Sequence, residues 1–161
     1  MANKYIDEGV RDALIEASSV FGKETVTELV KKLVSLNKVA RGRLINSLNY
    51  KLRGALTGIA IEFEAEDYIQ YVNDGRKPGK FAPVNAIKDW CKAKGIDPKF
   101  SYPINLKIKR VGIAPTKFID EVLNDKKLDE YSKKIEDISG KKIEQLVETI
   151  FEQSQFKKNN V

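Results

Sequence analysis

Apolar residues recur at three- and four-residue spacing through the first part of the chain. The repeating positions are Tyr5, Ile6, Val10, Leu14, Ala17, Val20 and Phe21. This spacing predicts an amphipathic helix, which Gly22 is expected to end. A second helix is predicted after it, with one apolar face formed by Val26, Leu29, Val30, Leu33 and Val34. Residues 41–47 extend that helix or form a third.

The hydrophobic period then changes from helical spacing to alternation. Leu48, Tyr50 and Leu52 alternate with polar residues, and after a glycine-containing turn at 54–58 so do Ile59, Ile61 and Phe63. This pattern predicts a two-stranded antiparallel hairpin with one buried face.

Short helices are predicted in the middle of the chain. Residues 67–73 are expected to be helical with Tyr68, Tyr71 and Val72 facing the core, and residues 83–94 with Val84, Ile87, Trp90 and Cys91 on one face. Residues 97–103 are predicted to be a loop. Residues 104–111 fit a strand or a helix, but Gly112 followed by Pro115 favours a helix, and another helix begins near Phe118.

The C-terminal segment has the pattern of a long helix. Leu128, Tyr131, Ile135 and Ile138 repeat at helical spacing, and a five-residue step across Gly140 predicts a break or kink before Ile143. Residues beyond Gln153 are expected to fray. The chain is therefore predicted to be an α+β protein, with a core domain at 1–125 and a C-terminal helical arm at 126–161.

Composition and charge narrow the range of possible functions. The 161 residues carry 29 Lys and Arg against 23 Asp and Glu, a net charge of +6 that favours an acidic partner. Cys91 is the only cysteine, and no apolar run is long enough to span a membrane. The N-terminal residues lack the apolar region of a signal peptide, so we expect synthesis in the cytoplasm and no membrane association.

Catalytic and metal-binding patterns are absent or weak in the sequence. There is no histidine, which excludes Ser-His-Asp and Cys-His catalysis and zinc sites that use histidine. Residues 75–80 differ from a phosphate-binding P-loop in glycine spacing and in the residue after the lysine. Glu62, Glu64 and Asp67 form the best carboxylate cluster, but it has no identifiable polar partners. We therefore expect no enzyme activity, no cofactor and no metal.

A basic loop in the middle of the chain is the strongest functional signal. Its residues are Arg76, Lys77, Pro78, Gly79, Lys80 and Phe81. Pro78 disfavours helical geometry for the residue before it, and Gly75 and Gly79 permit backbone angles that other residues avoid. We therefore expect a shaped cationic loop that contacts an acidic partner.

The segment 71–84 around this loop, followed by Ile87, Trp90 and the run 94–96, resembles the neck and tail-completion proteins of tailed bacteriophages. The run 104–113, Pro115 and Phe118 continue the resemblance, and residues 42–48 are similar to the entry to that family's first strand. The likeness covers residues 41–123. It departs from the family pattern at Ala82, where a second proline is expected, and it does not include the arm after Asp125.

The resemblance implies a non-enzymatic virion structural protein of the neck, made in the host cytoplasm. Such a subunit would assemble as a homo-oligomeric ring that joins the head, at the portal, to the tail around the DNA channel. The loop at 76–81 would then contact a neighbouring subunit, the portal, an adjacent neck ring or a tail protein, with non-specific DNA contact in the channel also open.

The alternative class is a free nucleic-acid-binding protein. In that interpretation the phosphate contacts come from the loop and from the helix that follows it: Arg76, Lys77, Lys80, Lys107, Lys109 and Arg110. Binding would weaken as the salt concentration rises, because each neutralised phosphate releases counterions. The interleaved acids of the C-terminal segment favour a protein-facing surface instead.

Overall fold

The computed structural model describes the backbone of residues 2–55 and 58–158 and the side chains of residues 8–54, 59–141 and 144. It confirms an α+β fold, in which the described residues form helices and one two-stranded antiparallel sheet. In chain order the elements are α1 (Ala2–Ser35), α2 (Arg43–Ser47), β1 (Asn49–Ala55), β2 (Gly58–Glu64), α3 (Ile69–Asn73), α4 (Val84–Ala93), a 3-10 turn (Pro98–Phe100), α5 (Ser101–Val111), α6 (Phe118–Val122) and α7 (Asp125–Lys158).

Residue contacts group the chain into two compact units. The first unit comprises Met1–Glu24, Tyr50–Glu62 and Asn124–Val161, and the second comprises Thr25–Asn49 and Phe63–Leu123. Residues of the predicted C-terminal arm thus group with the first part of α1 and most of the hairpin. No helix of the described part of the chain is long and apolar enough to cross a membrane.

The second unit contains the main hydrophobic core. It is built from α1, α2 and α6, through Leu29, Leu33, Leu44, Leu48, Phe118 and Val122. Phe118 and Leu33 are completely buried, so truncation of either to alanine should cost about 3–5 kcal/mol. The predicted inward face of the second helical pattern is confirmed at positions 29 and 33, whereas Val34 is exposed.

The first unit is held by aromatic contacts and hydroxyl hydrogen bonds. The rings of Phe21 and Tyr131 lie 4.3 Å apart between centroids. Buried Ser18 makes a 2.8 Å hydrogen bond with the hydroxyl of Tyr131, and Ser19 makes one of 2.9 Å with the hydroxyl of Tyr50. These contacts join α1 to α7 and to β1 inside the unit.

The predicted end of a helix at Gly22 and the predicted break at Gly140 were wrong. The helix α1 continues through Gly22, and this position requires glycine because it lies under the ring of Tyr50, where a Cβ would overlap the ring. The helix α7 likewise continues through Gly140, which has no neighbouring atom that a Cβ would meet. The hairpin is confirmed, with Leu56 and Thr57 of its predicted turn outside the described residues. The predicted fraying also falls partly outside them, although helical backbone extends to Lys158.

Three further predictions need correction. Residues 101–103 begin α5 and are not part of a loop. Pro103 is tolerated because N–H groups in the first turn have no acceptor within the helix, so a proline there removes no helical hydrogen bond. Trp90 is 41 % exposed and is not a core residue, although neighbouring Cys91 is fully buried as predicted. Tyr68, which precedes α3, and Tyr71 within it are exposed, and only Val72 of that predicted face is partly buried.

Candidate functional site: a supported basic loop

The loop at 76–81 is tied along its backbone to the end of α5 and the segment after it. Arg76 and Ile113 form an isolated antiparallel bridge, with N–H to carbonyl distances of 2.9 and 2.8 Å in the two directions. The N–H of Gly79 donates to the carbonyl of Lys109 at 2.7 Å. The loop therefore has a fixed path across the C-terminal end of α5.

Two glycines permit this close approach. Gly75 has a φ of 72° and Gly112 a φ of 81°, both in the region that favours glycine. A Cβ at Gly75 would overlap the carbonyl of Ile113, and one at Gly112 would overlap the carbonyl of Arg76. The bridge between the loop and the segment after α5 thus requires glycine on both sides.

A buried asparagine fixes the end of the loop. Asn105, which is 2 % exposed on α5, accepts a hydrogen bond from the N–H of Ala82 and donates one to the carbonyl of the same residue, each 2.8 Å long. Both polar groups of Ala82 are thereby satisfied away from water. These bonds stabilise the folded protein, because a buried peptide group without a hydrogen-bond partner costs free energy.

A second buried asparagine fixes the start of the loop. The side-chain oxygen of Asn73 accepts from the N–H of Ile119 at 2.9 Å, and its backbone carbonyl accepts from Thr116 at 3.0 Å and Lys117 at 2.9 Å. Its amide nitrogen donates to Asp74 at 3.0 Å. Asn73 therefore joins the end of α3 to the start of α6.

An ion pair reinforces the same junction. The ammonium of Lys117 lies 2.7 Å from a carboxylate oxygen of Asp74. The hydrogen bond from Lys117 is the main cause that lowers the pKa of the Asp74 carboxyl, and the same bond raises the pKa of Lys117. The charged forms of both groups are favoured together, as expected for a pair at hydrogen-bond distance.

Arg76 belongs to the support of the loop. Its guanidinium donates to the carbonyl of Phe81 at 2.9 Å and lies 5.6 Å from the centroid of the Tyr71 ring. The guanidinium therefore closes the loop by binding across it. From the sequence, Arg76 was grouped with Lys77 and Lys80 as a partner contact, and its role inside the loop was not predicted.

The remaining loop residues face solvent. Lys77, Pro78, Gly79 and Lys80 are exposed, and Phe81 is 42 % exposed. Within the described side chains neither Lys77 nor Lys80 has a carboxylate at ion-pairing distance. The loop thus presents two free cations beside a partly exposed aromatic ring.

The predicted cations of α5 do not lie on one face. The ammonium of Lys109 lies 4.5 Å from the centroid of the Phe81 ring, on the loop side of the helix. Helical geometry places Lys107 roughly 160° and Arg110 roughly 100° around the axis from Lys109. All three are exposed, but only Lys109 is brought to the loop.

We name six residues the loop patch: Lys77, Lys80 and Lys109, with Tyr71, Phe81 and Ile113. The last three are 46 %, 42 % and 37 % exposed. They are connected through Arg76, which pairs with Ile113, binds the carbonyl of Phe81 and lies over Tyr71. The patch therefore combines an apolar centre with three positive charges.

The carboxylates considered in the sequence do not form a metal centre in the described structure. Glu62 pairs with Arg53 at 2.8 Å on the neighbouring strand. In the searched part of the chain no three His, Cys, Asp or Glu residues are arranged to hold a metal ion. Cys91 is a free, completely buried thiol.

Comparison with known proteins gives no neighbour for this arrangement. No protein-family model, no curated protein and no solved structure matches the chain. The support residues Asn73 and Asn105 were not identified from the sequence. Asn105 lies between Ile104 and Leu106, and a polar residue within an apolar run is a usable signal for a buried polar group, but Asn73 is followed by a polar run and gives no such signal.

Proposed function

We propose that this protein is a non-enzymatic structural subunit of the neck of a tailed bacteriophage, and that it assembles as a ring joining the portal to the tail around the DNA channel. The observation that carries the proposal is the loop at 76–81, which is fixed by backbone bonds and by two buried asparagines while Lys77 and Lys80 remain free. The sequence resemblance over residues 41–123 supplies the class of assembly.

A fixed loop suits a structural contact. A segment that already holds its bound conformation loses little conformational entropy when a partner docks, so more of the interaction energy appears as affinity. The apolar centre of the loop patch contributes buried area, and its cations select an acidic partner. These properties favour a neighbouring protein subunit, the portal or a tail protein.

Nucleic acid remains the alternative partner, and two observations weigh against it. The six cations predicted to contact phosphates do not form one surface. The guanidinium of Arg76 is bound to the carbonyl of Phe81, and Lys107 projects away from Lys109. The ammonium of Lys109 also lies over the Phe81 ring, where a base would stack. A protein surface fits the patch better.

The test is a double charge reversal in the phage. Lys77→Glu with Lys80→Glu should block the joining of heads to tails, leaving filled heads and separate tails in electron micrographs. Lys31→Glu with Lys38→Glu is the matched control, since both lysines are exposed and unpaired in the described structure.

Both variants should fold, as judged by circular dichroism and by unchanged urea unfolding. Normal numbers of infectious particles carrying the loop reversal would refute the contact role of the loop. Loss of infectivity in the control as well would show that charge in general, and not the loop, is required.

A further inference from the structure

A second surface, on the first half of α1, carries the opposite charge to the loop patch. Glu8, Asp12 and Glu16 recur every fourth residue, which places them along one side of the helix. All three are exposed, and within the described side chains none has a basic partner at ion-pairing distance. We name this surface the acidic face of α1.

The acidic face also carries exposed aliphatic side chains. Ile15 is 41 % exposed and Val20 is 47 % exposed. Helical geometry places Ile15 next to Asp12, one turn further along the helix, and places Val20 one turn beyond Glu16, at the edge of the acidic face. The opposite side of this part of the helix is occupied by buried Ala13, Ser18 and Phe21. Among the described side chains of its own unit, the acidic face therefore has no ion-pair partner.

The two surfaces match in charge and in composition. The acidic face offers three carboxylates with two aliphatic side chains, and the loop patch offers three ammonium groups with Tyr71, Phe81 and Ile113 at its centre. The wider charge distribution agrees: the second unit has 16 basic and nine acidic residues, whereas the first has 13 basic and 14 acidic residues. Net charges of +7 and −1 favour contact between unlike units of different copies.

We propose that copies of this protein associate head to tail, with the acidic face of α1 in one copy bound to the loop patch of the next. The proposal rests on the proposed function, because a ring needs a heterologous interface in which one patch meets a different patch on the next copy. It deepens that function by assigning both halves of the interface.

The expected contact has charges around an apolar centre. Phe81 and Ile113 of one copy would cover Ile15 and Val20 of the other, while Lys77, Lys80 and Lys109 approach Glu8, Asp12 and Glu16. Partial burial strengthens such ion pairs, and salt weakens those at the rim. Association of the purified protein should therefore weaken as the salt concentration rises.

Charge-reversal variants in analytical ultracentrifugation test the interface directly. The purified full chain should form concentration-dependent oligomers. Lys77→Glu with Lys80→Glu, and separately Asp12→Lys with Glu16→Lys, should each raise the dissociation constant by roughly tenfold or more. The matched controls are Lys31→Glu with Lys38→Glu and Asp129→Lys with Glu136→Lys, which reverse exposed charges outside both surfaces and should leave association unchanged.

Mixing the two interface variants separates contact between copies from contact within one copy. Each variant alone repels its own copies at the interface, but each surface of one is complementary to a surface of the other. An equimolar mixture should therefore regain oligomers that neither variant forms alone. Folding of every variant is checked by circular dichroism before mixing.

Three results would overturn the proposal: a wild-type chain that remains monomeric at its highest soluble concentration, interface variants that assemble like wild type, or a mixture that stays monomeric. These failures are distinguishable from failure of the proposed function. A chain that is present in virions but insensitive to these reversals retains its neck role with a different interface, and a chain that is absent from virions can still show charge-swapped assembly.

Discussion

At the residue scale, the loop patch depends on polar side chains that are themselves hidden. Asn73 and Asn105 are 6 % and 2 % exposed, and between them they satisfy backbone groups at both ends of the loop. An asparagine side chain can accept and donate at once, so it can replace the two hydrogen bonds that a neighbouring strand would supply. The loop is ordered without belonging to a sheet.

Asn105→Ala should lower the free energy of unfolding by about 1–3 kcal/mol, because it leaves the N–H and carbonyl of Ala82 buried without partners. Urea unfolding measures this loss, and hydrogen exchange should show faster exchange at the amide of Ala82. Asn85→Ala is the control, since Asn85 is exposed on α4. Equal stabilities of the two variants would contradict the supporting role of Asn105.

Asp74→Asn should give a stability difference that depends on pH. The pKa of Asp74 is lowered in the folded protein, mainly by its hydrogen bond from Lys117, so its contribution is present above the unfolded-state pKa and is lost as the pH falls through the lower folded value. The raised pKa of Lys117 confines the contribution to pH values below the titration of that lysine.

The measurement is urea unfolding of wild type and Asp74→Asn between pH 2 and pH 7. The variant should be less stable near neutral pH, and the difference should shrink below about pH 4. A difference that stays constant down to the lowest pH would mean that the ion pair is not its cause.

At the element scale, three glycines have three different roles. Gly22 allows the ring of Tyr50 to lie against α1, and Gly112 allows the loop to approach the end of α5. Gly140 lies within α7 with open space around the position of a Cβ. Both long helices therefore continue through an internal glycine, and of these two only Gly22 lies against another side chain.

Substitution by alanine separates the two helical glycines. Gly140→Ala should raise the free energy of unfolding by about 0.5–1 kcal/mol, because alanine loses less backbone entropy in a helix. Gly22→Ala should lower it by about 1–3 kcal/mol, because the new methyl group must displace the Tyr50 ring. Thermal unfolding of both variants tests the pair, and destabilisation by Gly140→Ala would indicate a break in α7 at that residue.

These glycines also mark the limit of prediction from sequence. Local sequence patterns were sufficient to predict the hairpin, α4 and the end of α5 at Gly112. Alternation, helical spacing and a C-terminal glycine are all properties of residues that are close together in the sequence. The requirement for glycine at position 22 comes from Tyr50, which is distant along the chain. The contacts that support the loop, Arg76 with Ile113 and Ala82 with Asn105, also join residues that are far apart in sequence. The sequence therefore predicted the loop but did not distinguish the supporting role of Arg76 from the exposed position of Lys77.

At the scale of the whole molecule, charge is unevenly distributed. Positions 76–110 contain ten basic and only two acidic residues, and those two acids already pair with Arg41 and Lys99. The loop patch therefore lies within a strongly basic stretch of the sequence, while the acidic face of α1 carries three carboxylates that pair with no base among the described side chains. A protein built this way is suited to binding between unlike surfaces, which is the requirement of a closed ring.

We propose that this chain is a structural part of a virion, and mass spectrometry of gradient-purified particles would detect it there. We expect the chain to co-migrate with the portal and major capsid proteins at a low, fixed copy number. Absence from clean, infectious particles would contradict the neck assignment and would make nucleic acid in the infected cell the leading partner of the basic loop.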